Sequence, residues 1–333
     1  IAQIKQQYQK IAATQNIKMN VAGICNSRTM LMDPSGIELE GWEEKLAAGQ
    51  RSDINSFTNK IKALNLRNSV LIDMTANKTI PEVYAGLLKK SMSIVACNKI
   101  AASDRFTQYK KLKDLALEFN CKFLFETNVG AALPIIGTLN DIIKSGDKIV
   151  KIQAVLSGTL NYVFNQYNGE KSFAQVVRDA QREGYTEPDP RLDLSGMDVM
   201  RKIMILVRES GQALEIEDVL CESFLPESCM KGTVEDFYQE MENHEHHFRQ
   251  ILHEAASSNS TLKFVANYEN GKASVGLMHI QPESEMYHLY GKDNIVLFYT
   301  ERYHDQPLVV KGAGAGADVT ASGVFADILR TIN

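Results

Sequence analysis

The sequence lacks a long apolar run, because every hydrophobic stretch falls well short of the roughly 18–20 residues that a membrane-spanning helix needs. It also lacks a basic stripe: its 36 Lys and Arg residues are interspersed with 41 Asp and Glu residues, and the net charge is -5. These features argue against a membrane-spanning segment and against nucleic acid as a partner.

Cysteine is scarce as well, with five residues, wide spacing and no CxxC motif. An odd, scattered set of this kind predicts reduced thiols in a cytoplasmic protein and not a disulfide framework. The first residue is Ile1, not Met. We therefore expect further chain before it, and a targeting segment there stays open.

Over the first third of its 333 residues, the sequence alternates between short apolar runs and segments whose apolar residues have helical spacing. The runs are NVAGIC, SVLIDMT, SIVACN and KFLFET. Such alternation predicts βαβ units and a parallel sheet buried on both faces. The expected domain is therefore α/β and Rossmann-like, although the first strand and the G-x-G-x-x-G loop of such a domain are missing.

Ligands of open parallel sheets bind beyond the carboxyl ends of the strands. The candidate residues there are Asn26–Arg28, Thr75–Asn77, Asn98–Lys99 and 126–128. Arg28 follows NVAGIC, which is the second strand of the expected domain once the missing first strand is counted. An Arg at this position favours a 2′-phosphate on the ribose of the cofactor. The alternative is that Arg28 is a solvated surface residue. Lys99 either points into the ligand cleft or lies in an exposed loop.

After about Leu133 the rhythm changes to helical stretches that last to roughly Ser257. A hairpin is expected at Asn270–Gly271, followed by strands in NIVLFYT and PLVVKG, both of which are expected to present exposed edges. This pattern predicts a second, α+β domain over 131–315, with 316–333 returning to a first domain of 1–130. The glycine-rich GAGAG before the final helix is by itself a weak phosphate signal.

The segment GYTEPDPRLDLSGMDVMRK, residues 184–202, is dense in ionisable groups. Pro188 and Pro190 favour an extended, stiff arm that can hold Glu187 in place. Asp198 and Lys202 are one helical turn apart at the start of an apolar stretch. Desolvation and the carboxylate then act in opposite directions on the Lys pKa, which is how a catalytic Lys is tuned. The alternative is a helix capped by Ser195 or Asp193 with an ordinary surface ion pair.

With these residues in hand, the chain closely resembles the homoserine dehydrogenase family, and within it the dehydrogenase half of the bifunctional aspartokinase–homoserine dehydrogenases. The likeness covers nearly the whole chain and rests on GICNS, Asn98–Lys99, ETNVGAALPII, LSGTLNYVF, the segment 184–202 and GAGAGADVTASGVFADILRT. It implies NADP- or NAD-dependent interconversion of L-homoserine and L-aspartate 4-semialdehyde. It also implies a nucleotide-binding first domain, a substrate-binding and dimerisation domain, a homodimer or higher homo-oligomer, and fusion to an aspartokinase.

The resemblance also implies roles for individual residues. Lys202 would donate the proton, Lys99 would lie between nicotinamide and substrate, and Glu187 and Asp198 would bind the substrate beside Gly184. The cofactor would be bound by Ser27, Arg28, Thr75, Ala76, Lys99 and Gly316. A monovalent cation, expected to be sodium, would be held by oxygens of Glu126, Val129, Ala131 and Leu133, since hard oxygen ligands suit such an ion.

The sequence departs from the family at Leu192, where many relatives have a second Asp, and in the missing glycine loop. Two other functions stay open at this stage. An aspartate-semialdehyde dehydrogenase would need a nucleophile, for which Cys97 is the candidate. A non-catalytic sensing or assembly module would not bind NADPH.

Overall fold

The structure, a computed structural model, describes residues 1–332. It consists of unit 1, formed by Ile1–Phe125 and the stretch from Ala321 onward, and unit 2, Glu126–Thr320. The domain bounds expected from the sequence, 1–130 with 316–333 and 131–315, lie a few residues away, and residue 333 lies outside the described residues. The functional labels given to those domains stay predictions.

Unit 1 is built from short strands and the helices between them. Its elements are α1 Ala2–Gln15, β1 Gly23–Cys25, β2 Thr29–Met32, α2 Trp42–Ala47, β3 Gln50–Arg51, α3 Ile54–Leu64, β4 Val70–Asp73, α4 Tyr84–Leu88, β5 Ser93–Ala96, α5 Ile100–Ser103, α6 Phe106–Glu118 and β6 Phe123–Leu124. Strands β4, β5 and β6 form a parallel sheet, with Val70 opposite Ser93 and Ile94 opposite Phe123. Every residue of β5 is buried, as expected for a strand covered on both faces.

The expectation that NVAGIC supplies a strand of this parallel sheet is wrong. That run forms β1, which pairs antiparallel with β2, and β3 continues the same separate sheet. The cause is a tight turn: Asn26 Oδ1 accepts the backbone N–H groups of Arg28 and Thr29 at 2.7 and 2.8 Å. An Asn that binds its own chain two and three residues on reverses the chain direction at once.

The core of unit 1 joins residues far apart in the sequence. Ile11 from α1 and Val95 from β5 pack with Val324, Phe325 and Ile328. The last three belong to α14, Ala317–Arg330, whose first turn is part of unit 2. The C-terminal helix therefore completes a core begun by the N-terminal helix.

Unit 2 combines a large mixed sheet with helices. Its further elements are α7 Ile135–Lys144, β7 Ile149–Val155, α8 Gly158–Gln166, α9 Phe173–Arg182, α10 Arg191–Leu194, α11 Met197–Glu209, β8 Val219–Glu222, α12 Val234–Asn243, α13 Glu245–Ser257, β9 Thr261–Glu269, β10 Lys272–Ile280, β11 Asp293–Thr300 and β12 Leu308–Ala313. The strand order over the described residues is β12-β11-β7-β9-β10-β8. The predicted class, a Rossmann-like α/β part plus an α+β part, is confirmed. Among the described helices, none has the length and apolar character that a membrane crossing requires.

The predicted hairpin is confirmed, because Asn270 and Gly271 have φ of 51° and 76° between the antiparallel strands β9 and β10. Strands β7 and β8 were not expected, since the sequence between Leu133 and Ser257 was interpreted as helical. NIVLFYT was expected to be an exposed edge. It forms β11, which is paired on both sides, by β12 and by β7, so only PLVVKG of the two provides an edge strand in the described sheet.

Candidate active site

In unit 2 the arm that carries Glu187 is fixed by hydrogen bonds. The backbone N–H of Glu187 donates to Asp193 Oδ2 at 2.8 Å, and Gln181 Nε2 donates to the Pro188 carbonyl at 2.9 Å. Arg191 donates hydrogen bonds from Nε and Nη2 to the carboxylate of Asp189, and from Nη1 to the Gly232 carbonyl. These hydrogen bonds hold the arm in place, and the extended conformation expected from the prolines stays a prediction.

Gly184 begins this arm just past the end of α9. Its φ is 76°, and its N–H donates to the Gln181 carbonyl at 3.0 Å, while Tyr185 N–H reaches the Ala180 carbonyl at 2.9 Å. A glycine in the left-handed region ends a helix in this way, because it carries no Cβ to clash. Gly184 thus sets the direction in which the arm leaves α9.

Helix α11 begins at Met197, and its N-cap is Gly196, which has φ 74° and no side chain to bond the helix end. Neither Ser195 nor Asp193 is the N-cap, but Ser195 Oγ accepts the Met197 N–H at 3.3 Å, so Ser195 does contribute to this helix end. A Cβ at Gly196 would lie 2.7 Å from Phe264 Cζ, so the ring beneath the helix start leaves room for glycine alone. Asp193 instead accepts from Glu187 N–H and from the Thr159 hydroxyl.

Lys202 and Asp198 form the ion pair that their spacing predicts. Lys202 Nζ lies 2.7 Å from Asp198 Oδ2 and donates to the Leu156 carbonyl, also at 2.7 Å. The side chain of Lys202 is 11% exposed and that of Asp198 is 47% exposed. An ammonium held from two directions in a largely dry setting has a fixed orientation, which an ordinary surface pair lacks.

Asp193 is a member of this group that the sequence interpretation considered only as a helix cap. Burial raises the pKa of its carboxyl, and repulsion from Glu187 and Asp198 acts in the same direction, whereas hydrogen bonds from Glu187 N–H and Thr159 oppose it. Asp193 therefore lies close to Glu187 and to Asp198, and Asp198 is the carboxylate that pairs with Lys202. Leu192, the departure from the family, is 62% exposed and adds no charge to the group.

In unit 1 the candidate residues Thr75, Ala76 and Lys99 lie where parallel strands end. Thr75 and Ala76 follow β4, and Lys99 precedes α5 directly after β5. The buried carboxylate of Asp73 accepts the Thr75 N–H at 2.8 Å and the Asn98 amide at 3.0 Å. The loops after both strands are therefore tied to one side chain.

Ser27 and Arg28 do not lie at that edge. Both are exposed and occupy the turn between β1 and β2. The interpretation that Arg28 follows a strand of the parallel sheet is corrected accordingly, whereas its role toward a ribose stays a prediction.

Gly316 belongs to unit 2 and comes immediately before α14, with φ 126°. Its carbonyl accepts the Thr320 N–H at 2.8 Å and so opens the helix. Two residues earlier, a Cβ on Gly314 would collide with the side chain of buried Asn294. The glycine-rich turn is thus shaped by close packing at Gly314 and by a conformation that favours glycine at Gly316.

The residues expected to hold a monovalent cation lie on one turn between β6 and α7. Glu126 uses its carboxylate to cap α7, accepting the N–H groups of Ile136 and Gly137 at 2.5 and 2.8 Å. Ala131 has φ 53°, which is unusual for a residue with a Cβ. Within the described chain, the carbonyls of Val129 and Ala131 accept no backbone hydrogen bond, and Val129 is fully buried. Buried carbonyls with spare lone pairs fit a hard cation.

Comparison with known proteins gives a consistent result for both units. The family model for the homoserine dehydrogenase NAD-binding domain matches residues 1–126, and the homoserine dehydrogenase model matches residues 134–329. A bifunctional aspartokinase/homoserine dehydrogenase 2 of Arabidopsis thaliana is 41% identical over 95% of this chain and 35% of its own length. The enzyme of that name in Haemophilus influenzae is 36% identical over 100% of this chain and 41% of its own. The chain thus spans little more than a third of these relatives.

Solved structures resemble the whole chain in fold. A Candida auris protein of unknown function superposes with a TM-score of 0.89 at 31% identity, covering 98% of this chain and 95% of its own. A hyperthermophilic archaeal homoserine dehydrogenase in complex with NADPH gives 0.73 at 23% identity, covering 98% and 92%. The family models and the relatives agree, and the chain belongs to the homoserine dehydrogenase family.

Proposed function

We propose that this chain catalyses the NAD(P)-dependent interconversion of L-aspartate 4-semialdehyde and L-homoserine, a step in the biosynthesis of threonine, methionine and isoleucine. The observation that carries the proposal is the ammonium of Lys202, held by the carboxylate of Asp198 and by the Leu156 carbonyl. Reduction of an aldehyde creates an alkoxide, which a fixed ammonium stabilises and protonates.

The carboxylates have a separate task. The substrate is an amino acid, and its α-ammonium needs negative partners in a partly dry site. Glu187 and Asp198 would bind it, with Asp193 keeping the Glu187 backbone in position. The exposed side chain of Glu187 and the half-exposed side chain of Asp198 are accessible to a small molecule.

NADPH or NADH, bound by Ser27, Arg28, Thr75, Ala76, Lys99 and Gly316, would supply the hydride. Lys99 would add a second positive group near the reacting carbonyl. A sodium ion held by oxygens of Glu126, Val129, Ala131 and Leu133 would stabilise the turn that precedes α7. These assignments rest on the family pattern and on the location of each residue at a strand or helix end.

The test is a spectrophotometric assay with the full-length natural protein. NADPH should be oxidised only when aspartate 4-semialdehyde is present, and homoserine should drive the reverse reaction. Absence of turnover in both directions, with NADPH binding intact, would refute the proposed activity.

We expect NADP(H) to be preferred mildly over NAD(H), because Arg28 is the residue available for a 2′-phosphate. A charged hydrogen bond of this kind is worth on the order of 1.5–3 kcal/mol. Arg28→Ala should therefore bring the two catalytic efficiencies closer together by about tenfold or more. Arg51, an exposed Arg of the same small sheet, serves as the control substitution. An unchanged ratio in Arg28→Ala means that another residue recognises the phosphate.

A homodimer formed through unit 2 is also proposed. Strand β12 lies at the edge of the described sheet, and alternate residues along it are exposed, including Val309 at 40%. An edge strand of this kind is a ready surface for pairing with another chain. Light scattering at micromolar concentration should give twice the chain mass, and a monomer would contradict the proposal.

The relatives' names imply a longer protein. We propose that the natural polypeptide also carries an aspartokinase and, from the number and spacing of its cysteines, that it is cytoplasmic. The mass of the natural chain and its location after cell fractionation check both points.

A further inference from the structure

A buried carboxylate lies at the end of β4 and has no assigned role in the reaction. Asp73 is 3% exposed. Its Oδ2 accepts the Tyr84 hydroxyl at 2.6 Å and the Asn98 amide at 3.0 Å, and its Oδ1 accepts the Thr75 N–H at 2.8 Å. The side chain is thus fully engaged with neighbouring groups and does not face solvent.

The donors that meet at Asp73 belong to different segments. Thr75 opens the loop after β4, and Asn98 opens the loop after β5, the next strand of the parallel sheet. Asn98 Nδ2 also reaches the Asn77 carbonyl at 2.9 Å, and its Oδ1 accepts the Ile100 N–H at 3.1 Å. Asp73 and Asn98 together fix the loop 74–79 and the first turn of α5.

These fixed segments carry the residues proposed to contact the cofactor in unit 1. Thr75 and Ala76 lie in the first loop, and Lys99 is the N-cap of α5, between Asn98 and Ile100. Thr75 and Ala76 lie in an irregular loop, and Lys99 lies at the start of a four-residue helix, where its carbonyl accepts the Ser103 N–H at 2.8 Å. A loop that must present atoms to a ligand within about 0.5 Å needs a supporting shell of locked side chains.

Only a carboxylate suits this position. Each of its oxygens accepts, whereas an Asn in either orientation would place its NH₂ group against a donor, either the Thr75 N–H or the Asn98 amide and the Tyr84 hydroxyl. Asn98 cannot turn its own amide to compensate, because its Oδ1 is already used by Ile100 N–H. Burial first, and the neighbouring Asp73 carboxylate next, raise the pKa of Tyr84, so its hydroxyl stays a donor at neutral pH.

We propose that Asp73 is a positioning residue for cofactor binding, which aligns Thr75, Ala76 and Lys99 by tying the loops after β4 and β5 to one buried carboxylate. The inference rests on the proposed NADPH-dependent function and adds a residue that need not touch the cofactor. Its signature is a loss of cofactor affinity that is larger than any loss of substrate affinity, because Glu187 and Asp198, which are proposed to bind the amino-acid substrate, belong to unit 2.

The test is Asp73→Asn in the full-length protein, with the dissociation constant of NADPH measured by fluorescence titration and KM measured for each substrate. The misplaced NH₂ group should weaken NADPH binding roughly tenfold or more, while KM for homoserine changes less than about threefold. The matched control is Asp147→Asn, the same change at a carboxylate of unit 2 that is 4% exposed and bonded to Thr300. That control should lower thermal stability and leave NADPH affinity unchanged.

A second variant covers the case in which Asp73→Asn does not fold. Asn98→Leu keeps the size of the side chain and removes its bonds to Asp73 and Asn77, so it should weaken NADPH binding in the same way. If the folded variants bind NADPH like the wild type, or if the Asp147 control loses affinity equally, the inference is overturned. A wild-type protein that binds NADPH without turning over homoserine would instead refute the proposed function alone.

Discussion

Replacing Lys202 by alanine is expected to lower turnover roughly 10²–10⁴-fold, the usual contribution of a general acid. The ammonium lies 2.7 Å from both Asp198 and the Leu156 carbonyl, so the substitution removes a proton donor whose orientation is fixed. The NADPH dissociation constant should change little, because the larger part of the proposed cofactor site lies on unit 1. Steady-state kinetics together with NADPH titration measure both quantities.

The chain offers a matched control for this change. Lys110 pairs with Asp114 at 2.6 Å with the same four-residue spacing, but its side chain is 56% exposed. Lys110→Ala removes an ordinary surface pair and should leave turnover within about twofold, since exposed pairs contribute little. Near-normal turnover in Lys202→Ala combined with its loss in Lys99→Ala would assign proton donation to Lys99. If both variants remain active, water is the donor.

Asp198→Ala should lower turnover and substrate affinity together. The substitution removes a proposed contact of the α-ammonium and the ion pair of Lys202, whereas the bond from Lys202 to the Leu156 carbonyl stays. Loss of one charge-assisted hydrogen bond alone predicts a rise of about tenfold to hundredfold in KM for homoserine. Because kcat falls while KM rises, kcat/KM should change by a larger factor than either kcat or KM alone.

Asp198→Asn separates charge from shape. It keeps the size of the side chain and one acceptor oxygen, so turnover should fall less than in Asp198→Ala while KM still rises. Asp114→Ala is the control on the exposed pair. An Asp198→Ala variant with unchanged KM would show that Asp198 only orients Lys202, and substrate binding would then be left to Glu187 and Asp193.

The Asp198–Lys202 pair could be predicted because its geometry is local. Four residues along a helix place two side chains together whatever the rest of the fold does. The hairpin at Asn270–Gly271 is of the same kind, since both residues accept the positive φ that the turn needs. Local backbone chemistry of this sort is visible in the sequence itself.

Features that depend on distant residues could not be predicted. Strand β7 was missed because its partners, β9 and β11, lie more than a hundred residues further along the chain. Gly196 was not recognised as the N-cap of α11, because the reason for glycine there is the ring of Phe264 beneath it. Asp193 was considered only as a cap, since its repulsion with Glu187 and Asp198 arises only after the arm folds back.

The helix α14 has a consequence for how the protein is made. The core of unit 1 needs Val324, Phe325 and Ile328, yet the whole of unit 2 is encoded between them and the rest of that core. Unit 2 is one continuous segment of the chain, so it can fold as soon as its own residues have left the ribosome. The sheet around β5 must wait for roughly 200 more residues, which at about 5–20 residues per second is on the order of ten to forty seconds. Throughout that interval Ile11 and Val95 lack Val324, Phe325 and Ile328 as packing partners. The incomplete core of unit 1 is therefore the region that chaperones would need to protect.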